Sequence, residues 1–436
     1  MLGPTGLGPS LVARRSNPGT IRGGAPTGKP QPLVTWSVVI GLSDIQEARD
    51  QVKAVIRPTP VYRSDALSRL AGREVLLKPE HLQRTGSFKV RGAYNRISRL
   101  PEGVVVVTAS AGNHAQGVAF AATRTGHASV VFMPLTAALP KVDATREYGA
   151  EVRLAGHIVD DALALAQAYA TETGAVFVPP FDDPLVMAGQ GTVGLEIAEE
   201  APAADIVVVP VGGGGLIGGM ATALAHTRRG VRVIGVEAAG AACMRASVDA
   251  GRPVRLDHLA TMADGIAVKQ VTDLTLSHVQ AYVDDLVTVQ EEEISQALLL
   301  LLERAKAVVE PSGAVGLAAV LAGKVPGTGP VVVTLSGGNV DPLLLIKLID
   351  HGLSAAGRYL ILRLVVADEP GSLAGLLALV GSMGLNVLEV EHHRAGINIA
   401  LQDVEVMLTL ETRNPGHRHE VVDALRTAGY HVELLR

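Results

Sequence analysis

From Ser43 onward the chain alternates short, uninterrupted apolar runs with stretches whose apolar residues recur at helical spacing. Val104–Thr108 (VVVVT) reads as a buried strand, Gly112–Thr125 as a loop and helix, and Ser129–Met133 (SVVFM) as the next strand. Ile206–Val209, Val231–Val236 and Val331–Leu335 repeat the pattern, each followed by a small-residue turn and a helix. Strands that are apolar on both faces and separated by helices imply a parallel sheet covered on both sides. Ligands of such sheets bind at the carboxyl ends of the strands. The 48 glycines concentrate at those ends, where backbone must approach a ligand closely.

The pattern changes near Ser354-Ala355-Ala356-Gly357, which reads as a linker. Beyond it, Tyr359–Val366 alternates as a strand and Gly371–Gly381 reads as a helix. Val387–Glu391 and Val404–Leu410 follow as strands, Glu420–Ala428 as a helix and His431–Leu434 as a last strand. That βαββαβ order predicts a compact ferredoxin-like unit. His392 and His393 fall on one of its strands, where neighbours face opposite ways, so they do not share a metal.

Length and composition narrow the class. A chain of 436 residues with 48% hydrophobic and 19% charged residues calls for two or more well-buried domains. A net charge of −5 without a long basic run argues against a nucleic-acid or anionic-membrane surface. Ile206–Ala225 lacks charge over a span's length, but Pro210 and six glycines make it strand, turn and helix. A lone Cys243 excludes an intrachain disulfide and a thiolate metal cluster, and fits the cytoplasm. Seven glycines and six prolines precede Leu33, so residues 1–36 read as a disordered extension. Arg14, Arg15, Arg22 and Lys29 give that segment a transit peptide's charge without its amphipathic helix.

Two features carry chemistry. Lys89 follows the polar turn Thr85-Gly86-Ser87-Phe88 and opens a helix marked by Val90, Ala93, Tyr94 and Ile97. A core-facing lysine is costly unless its charge has a use, and the helix dipole disfavours a cation there. In "PVGGGGLIGG", a strand runs into Gly212, Gly213, Gly214 and Gly215 and then a helix, so that bare amides and a helix N-terminus form a phosphate site. Gly213, Gly215 and Gly218 also satisfy G-x-G-x-x-G, with Glu237 ending the next strand, so the motif alone equally fits a nicotinamide-binding domain. "TASAGNHAQG" (Thr108–Gly117) and "TLSGGN" (Thr334–Asn339) are further polar loops directly after buried strands. Three such loops and a turn lysine suit a cofactor with a phosphate, an aldehyde and a ring nitrogen better than a dinucleotide.

"SFKVRGA", "SAGNHAQG", "AGQGT" (Ala188–Thr192), "GGGGL", "EPSGA" (Glu310–Ala314) and "SGGN" occur in the order seen in threonine and serine dehydratases, and from about Ser43 to His351 the chain resembles that family. The resemblance implies the tryptophan-synthase β-like fold: a two-lobed pyridoxal 5'-phosphate (PLP) catalytic domain over residues 37–352, parallel sheets covered by helices, with a small lobe of about 103–182 inserted. The tail, residues 358–436 with "DEPGSLAGLL", resembles an ACT regulatory domain. By resemblance Lys89 is the Schiff-base lysine, Phe88 packs on the cofactor ring, Asn113 donates to its hydroxyl, Gly212–Gly215 hold its phosphate and Ser336 meets its nitrogen. A hydroxyl partner leaves that nitrogen neutral, which favours loss of a β-leaving group over a long-lived carbanion. Ser110, Ala111, Gly112, Asn113 and His114 match the substrate-carboxylate loop. Glu310 is either a helix N-terminal charge or a neighbour of the cofactor. Phe88 also reads as plain core, His114 as a shaper of its loop and Arg91 as an ion-pair residue.

The activity implied is β-elimination and deamination of L-threonine to 2-oxobutanoate and ammonia, with Lys89 as general base. L-serine as substrate, a nicotinamide-dependent oxidoreductase and a catalytically silent amino-acid sensor are the other readings. Serine racemases of the family carry a serine at the position of Ala111, so racemisation is not expected. Relatives that bind a divalent cation place an acid where Cys243 stands, so no metal is expected. The ACT resemblance implies an amino-acid effector near Gly371, isoleucine or valine in a biosynthetic setting, and a homodimer or homotetramer.

Overall fold

The computed structural model describes residues 39–355, 357–394 and 402–435. The expectation for residues 1–36 lies outside them. Among the described residues ten strands precede the C-terminal unit: β1 (Tyr62–Arg63), β2 (Val75–Lys78), β3 (Val106–Ala109), β4 (Ser129–Met133), β5 (Glu151–Leu154), β6 (Val176–Phe177), β7 (Ile206–Pro210), β8 (Arg232–Ala238), β9 (Asp285–Val289) and β10 (Val331–Thr334). They form two sheets, ordered β1-β2-β10-β7-β8-β9 and β5-β4-β3-β6. Every pairing is parallel except β1 with β2.

The larger sheet is buried on both faces, and its residues divide between two cores by strict alternation. Ile206 and Val208 of β7 and Val331 and Val333 of β10 pack into one. Val207, Val209 and Val332 pack into the other. Unbroken runs of valine thus report double-sided burial. On the second face, helix Pro184–Glu200 is the spine, started by Asp183, whose carboxylate accepts from the amides of Leu185 and Val186. It lies close enough to two other helices that side chains would not fit. A Cβ on Gly189 would meet the Arg91 carbonyl at 2.5 Å, and one on Gly191 the Gly219 carbonyl at 2.8 Å. The AGQGT segment therefore fixes helices Lys89–Ile97 and Gly215–Thr227 against one backbone.

The C-terminal unit holds β11 (Tyr359–Ala367), β12 (Val387–His393), β13 (Asp403–Glu411) and β14 (His431–Leu434) in an antiparallel sheet ordered β12-β13-β11-β14. With helices Ser372–Ser382 and Pro415–Thr427 this is the ferredoxin-like order. Leu360, Leu362 and Leu364 of β11 and Val404, Val406 and Leu408 of β13 face its core.

Strand and helix ends shift by one or two residues from the sequence reading at several places, and two boundaries have a visible cause. Helix Pro342–Ala355 takes in the first half of the expected linker; Gly357, at φ +67°, makes the turn against Pro415. The last helix begins at Pro415, five residues before Glu420, because Asn414 caps it by accepting from the His417 amide at 3.0 Å. Among the described residues no helix is long and apolar enough to cross a membrane.

Candidate active site

Lys89 is the first residue of helix Lys89–Ile97, and Phe88 before it is buried in the second-face core. The chain ahead of Lys89 pairs with the loop after β10: the Phe88 amide donates to the Ser336 carbonyl (3.1 Å), Ser87 bridges to Gly337, and the Gly338 amide donates to the Gly86 carbonyl (2.9 Å). Two of the motifs thus form one zipped unit. Lys89 Nζ donates to the Pro180 carbonyl at 3.1 Å and lies 5.2 Å from the Phe88 ring centroid. Burial lowers the amine to about 8, against the opposing pull of Glu310.

Helix Asn113–Thr125 starts at the same place. A Cβ on its Gly117 would touch the Lys89 backbone at 3.2 Å. Asn113 Nδ2 donates to Glu310 Oε1 at 2.6 Å. Glu310 occupies the N-cap position of helix Pro311–Leu321 without a side-chain capping bond, and its carboxyl group turns to Asn113 instead. Its carboxyl is pushed up to about 7 by burial and by Asp264, while the Asn113 hydrogen bond, Lys141 and Lys89 work the other way. His114 Nε2 meets the Val178 carbonyl at 2.9 Å, and burial beside Lys89 lowers the ring to about 3, so it is neutral. Ser110, Ala111 and Gly112 form the short loop between β3 and this helix.

Gly212–Gly215 lie between β7 and helix Gly215–Thr227, and their bareness is enforced from outside. A Cβ on Gly212 would meet Ile266 at 2.9 Å, one on Gly213 the Phe181 ring, one on Gly214 Met244, and one on Gly215 Gln190 Oε1 at 2.6 Å. Gly214 is left-handed at φ +92°. The Glu237 carboxylate, which a dinucleotide site would keep for a ribose, is engaged by backbone. It accepts from the amides of Met244 (2.8 Å) and Arg245 (2.9 Å).

Four helix N-termini therefore open around Lys89, the glycine loop, Asn113 and Glu310, an environment that favours anions. Ser87 Oγ, Thr85 Oγ1, Ser312 Oγ, His114 Nδ1 and Gln190 Oε1 are buried there without a partner among the described residues. A side-chain-free cradle, an amine of lowered basicity and unpaired polar atoms fit a phosphorylated aldehyde cofactor. Among the described residues no cluster of three or more His, Cys, Asp or Glu could hold a metal. Gly371 stands apart in the C-terminal unit, at φ +101° ahead of helix Ser372–Ser382, with open space where a Cβ would be.

Several contacts of the neighbourhood escape sequence reading. Phe181 lies on the glycine loop, and Asn339 joins three loops. Arg91 is fully buried, bonded to Glu80 (2.8 Å) and Glu196 (2.6 Å), while the buried Lys78 pairs with Glu196 (2.7 Å) and Glu200 (3.1 Å). Arg91 thus serves as an ion-pair residue.

The family profile described as "Pyridoxal-phosphate dependent enzyme" matches residues 52–337. An L-threonine ammonia-lyase from Thermotoga maritima is 46% identical over 401 residues, covering 91% of this chain and all of that one. Among solved structures, a threonine deaminase from T.th. has a TM-score of 0.66 at 41% identity, covering 69% of this chain and 99% of that one. Maize serine racemase has a TM-score of 0.68 at 34% identity, covering 72% and 98%.

Proposed function

We infer that this chain, which belongs to the pyridoxal-phosphate dependent enzyme family, is an L-threonine ammonia-lyase that eliminates the β-hydroxyl of L-threonine and releases 2-oxobutanoate and ammonia. The observation that carries the reading is Lys89, an amine lowered to about 8 at the mouth of a helix beside a side-chain-free glycine loop.

Bound PLP supplies the aldehyde that binds Lys89 or the substrate amine and the ring that accepts electrons from the substrate's Cα. The amides of Gly212–Gly215 are assigned to its phosphate, Ser336 to its ring nitrogen, and Asn113 Nδ2, whose second hydrogen is left over from Glu310, to its hydroxyl. Phe88 would wall the ring. Amides of Ser110–His114, at the N-terminus of helix Asn113–Thr125, are assigned to the substrate carboxylate. Released Lys89 takes the Cα proton, and its reduced basicity keeps a share of it in the free-base form near neutral pH. Ala111 offers no hydroxyl to return a proton to the opposite face, so elimination proceeds without racemisation. Neutral His114 shapes the carboxylate loop and is not the base.

The catalytic unit is taken as residues 37–352, with a lobe of about 103–182 inserted, and residues 358–436 as an ACT-type regulatory domain binding an amino acid near Gly371. A homodimer or homotetramer in the cytoplasm completes the reading. Absorption before and after borohydride, with peptide mapping of the reduced adduct, tests it. The expected result is a yellow chromophore whose label maps to Lys89. A colourless protein that stays inactive with added PLP overturns it. Comparing kcat/KM for L-threonine and L-serine ranks the substrates, since one methyl group is worth about 1–3 kcal/mol.

A further inference from the structure

Asn339 ties together three loops of the site through one amide group. Its Nδ2 donates to the Thr85 carbonyl at 2.7 Å and to Asn113 Oδ1 at 2.8 Å, with Gln116 Oε1 at 3.5 Å. The two ends of a carboxamide have nearly the same shape, so its partners decide which way it points. A donor aimed at Asn113 Oδ1 leaves Asn113 with its own Nδ2 toward Glu310, at 2.6 Å, and toward the space beside Lys89. Asn339 is what holds that orientation from the oxygen side of Asn113.

The second bond acts on the lysine turn. Thr85 has φ +60°, a left-handed conformation that a threonine adopts only where its surroundings impose it. Its carbonyl is held by Asn339, and Gly86 packs on the Asn339 side chain so closely that a Cβ would strike it. From there the chain runs paired with Asn339's own loop to Phe88 and Lys89.

We propose that Asn339 is a positioning residue: its single NH2 group sets Asn113 as a hydrogen-bond donor and clamps the strained turn that aims Lys89, keeping the two groups in register. The proposal rests on the PLP ammonia-lyase reading and adds a device to it. A loop-closing residue of purely structural value would affect stability alone.

The test uses holoenzyme carrying Asn339→Asp, Asn339→Ala, Asn113→Ala and the Asn113→Ala/Asn339→Ala pair. PLP dissociation constants, the pH profile of kcat for L-threonine and the denaturant midpoint are measured. Asn339→Asp keeps size and shape but sets an acceptor against two acceptors. It is expected to weaken PLP binding about tenfold or more and to shift the pH profile. In the double-mutant cycle, adding Asn339→Ala to Asn113→Ala is expected to cost less PLP affinity than Asn339→Ala costs alone, because the part of the effect that runs through Asn113 is already lost. Should Asn339→Ala fail to fold, Asn339→Asp completes the cycle. Unchanged PLP affinity and pH profile in Asn339→Asp, or additive losses in the cycle, overturn the proposal. Wild-type enzyme without chromophore or ammonia release would instead sink the reading beneath it.

Discussion

The Lys89 ε-amine donates to the Pro180 carbonyl at 3.1 Å, its one hydrogen bond among the described residues. A cation at a helix N-terminus, half-buried and with a single neutral acceptor, is a poor contributor to stability. Lys89→Ala should therefore fold at least as stably as the cofactor-free wild type while losing β-elimination and the borohydride-reducible adduct. Denaturant midpoints and ammonia release measure the two halves. Near-normal turnover, or a collapse in stability, would count against a chemical role.

Arg91, two residues along the same helix, has the opposite balance. Its guanidinium meets Glu80 and Glu196 and accepts no competition from water. Removing one partner of such a buried network leaves carboxylates unpaired, so Arg91→Ala should cost about 3–5 kcal/mol. Arg91→Lys cannot restore the fork geometry and should recover only part of that loss in a denaturation series.

These two cations show what the amino-acid order discloses. The parallel sheets were legible because runs such as VVVVT and SVVFM are apolar at four consecutive positions, and the ferredoxin-like unit because Tyr359–Val366 alternates. The glycine loop and Lys89 stood out because they break local rules. Lys78 did not, since β2 is a short apolar run whose lysine finds Glu196 and Glu200 only through the fold. Phe181 and Asn339 were hidden for the same reason: their partners Gly213 and Thr85 are remote along the chain. Periodicity reports which face is buried, and carries no record of which loops meet.

Gly213 faces the Phe181 ring so closely that a methyl group would collide with it. Gly213→Ala should displace the Phe181 ring or push the loop amides out of line, weakening PLP binding and costing the cofactor-free protein about 1–3 kcal/mol of stability. A titration followed by absorbance checks this. PLP affinity equal to wild type would remove the loop from the phosphate assignment.

Glu310 has an ordinary value of 4.5 and is raised to about 7 by burial and by Asp264. A raised carboxyl favours the folded state fully below the unfolded value, and that contribution is lost as pH climbs through the folded value. The stability of Glu310→Gln relative to wild type should accordingly grow between about pH 4.5 and 7, by at most on the order of 3 kcal/mol. Denaturant titrations of both cofactor-free proteins across that window give the answer, and a flat difference would mean that Glu310 is ionised throughout.

The C-terminal unit reaches the rest of the described chain through Arg358, just ahead of its first strand, and Arg418 of its last helix. Arg358 Nη1 lies 3.5 Å from Glu303 Oε1, and Arg418 Nη1 donates to the Ser354 carbonyl at 3.5 Å. Glu303 sits in the π-helical turn Leu301–Ala305, which leads to Glu310 through the left-handed Lys306. Exposed ion pairs at such separations contribute about 0–1 kcal/mol, so the catalytic unit should survive without them. A chain ending at Gly357 is expected to keep kcat for L-threonine within about twofold, given so small a loss of contact energy. It should lose any response of KM to isoleucine or valine that the full chain shows, because helix Ser372–Ser382 and Gly371 go with the unit. Parallel initial-rate curves for the two chains, with and without each amino acid, decide it. A response that persists after truncation would place the effector site in the catalytic unit.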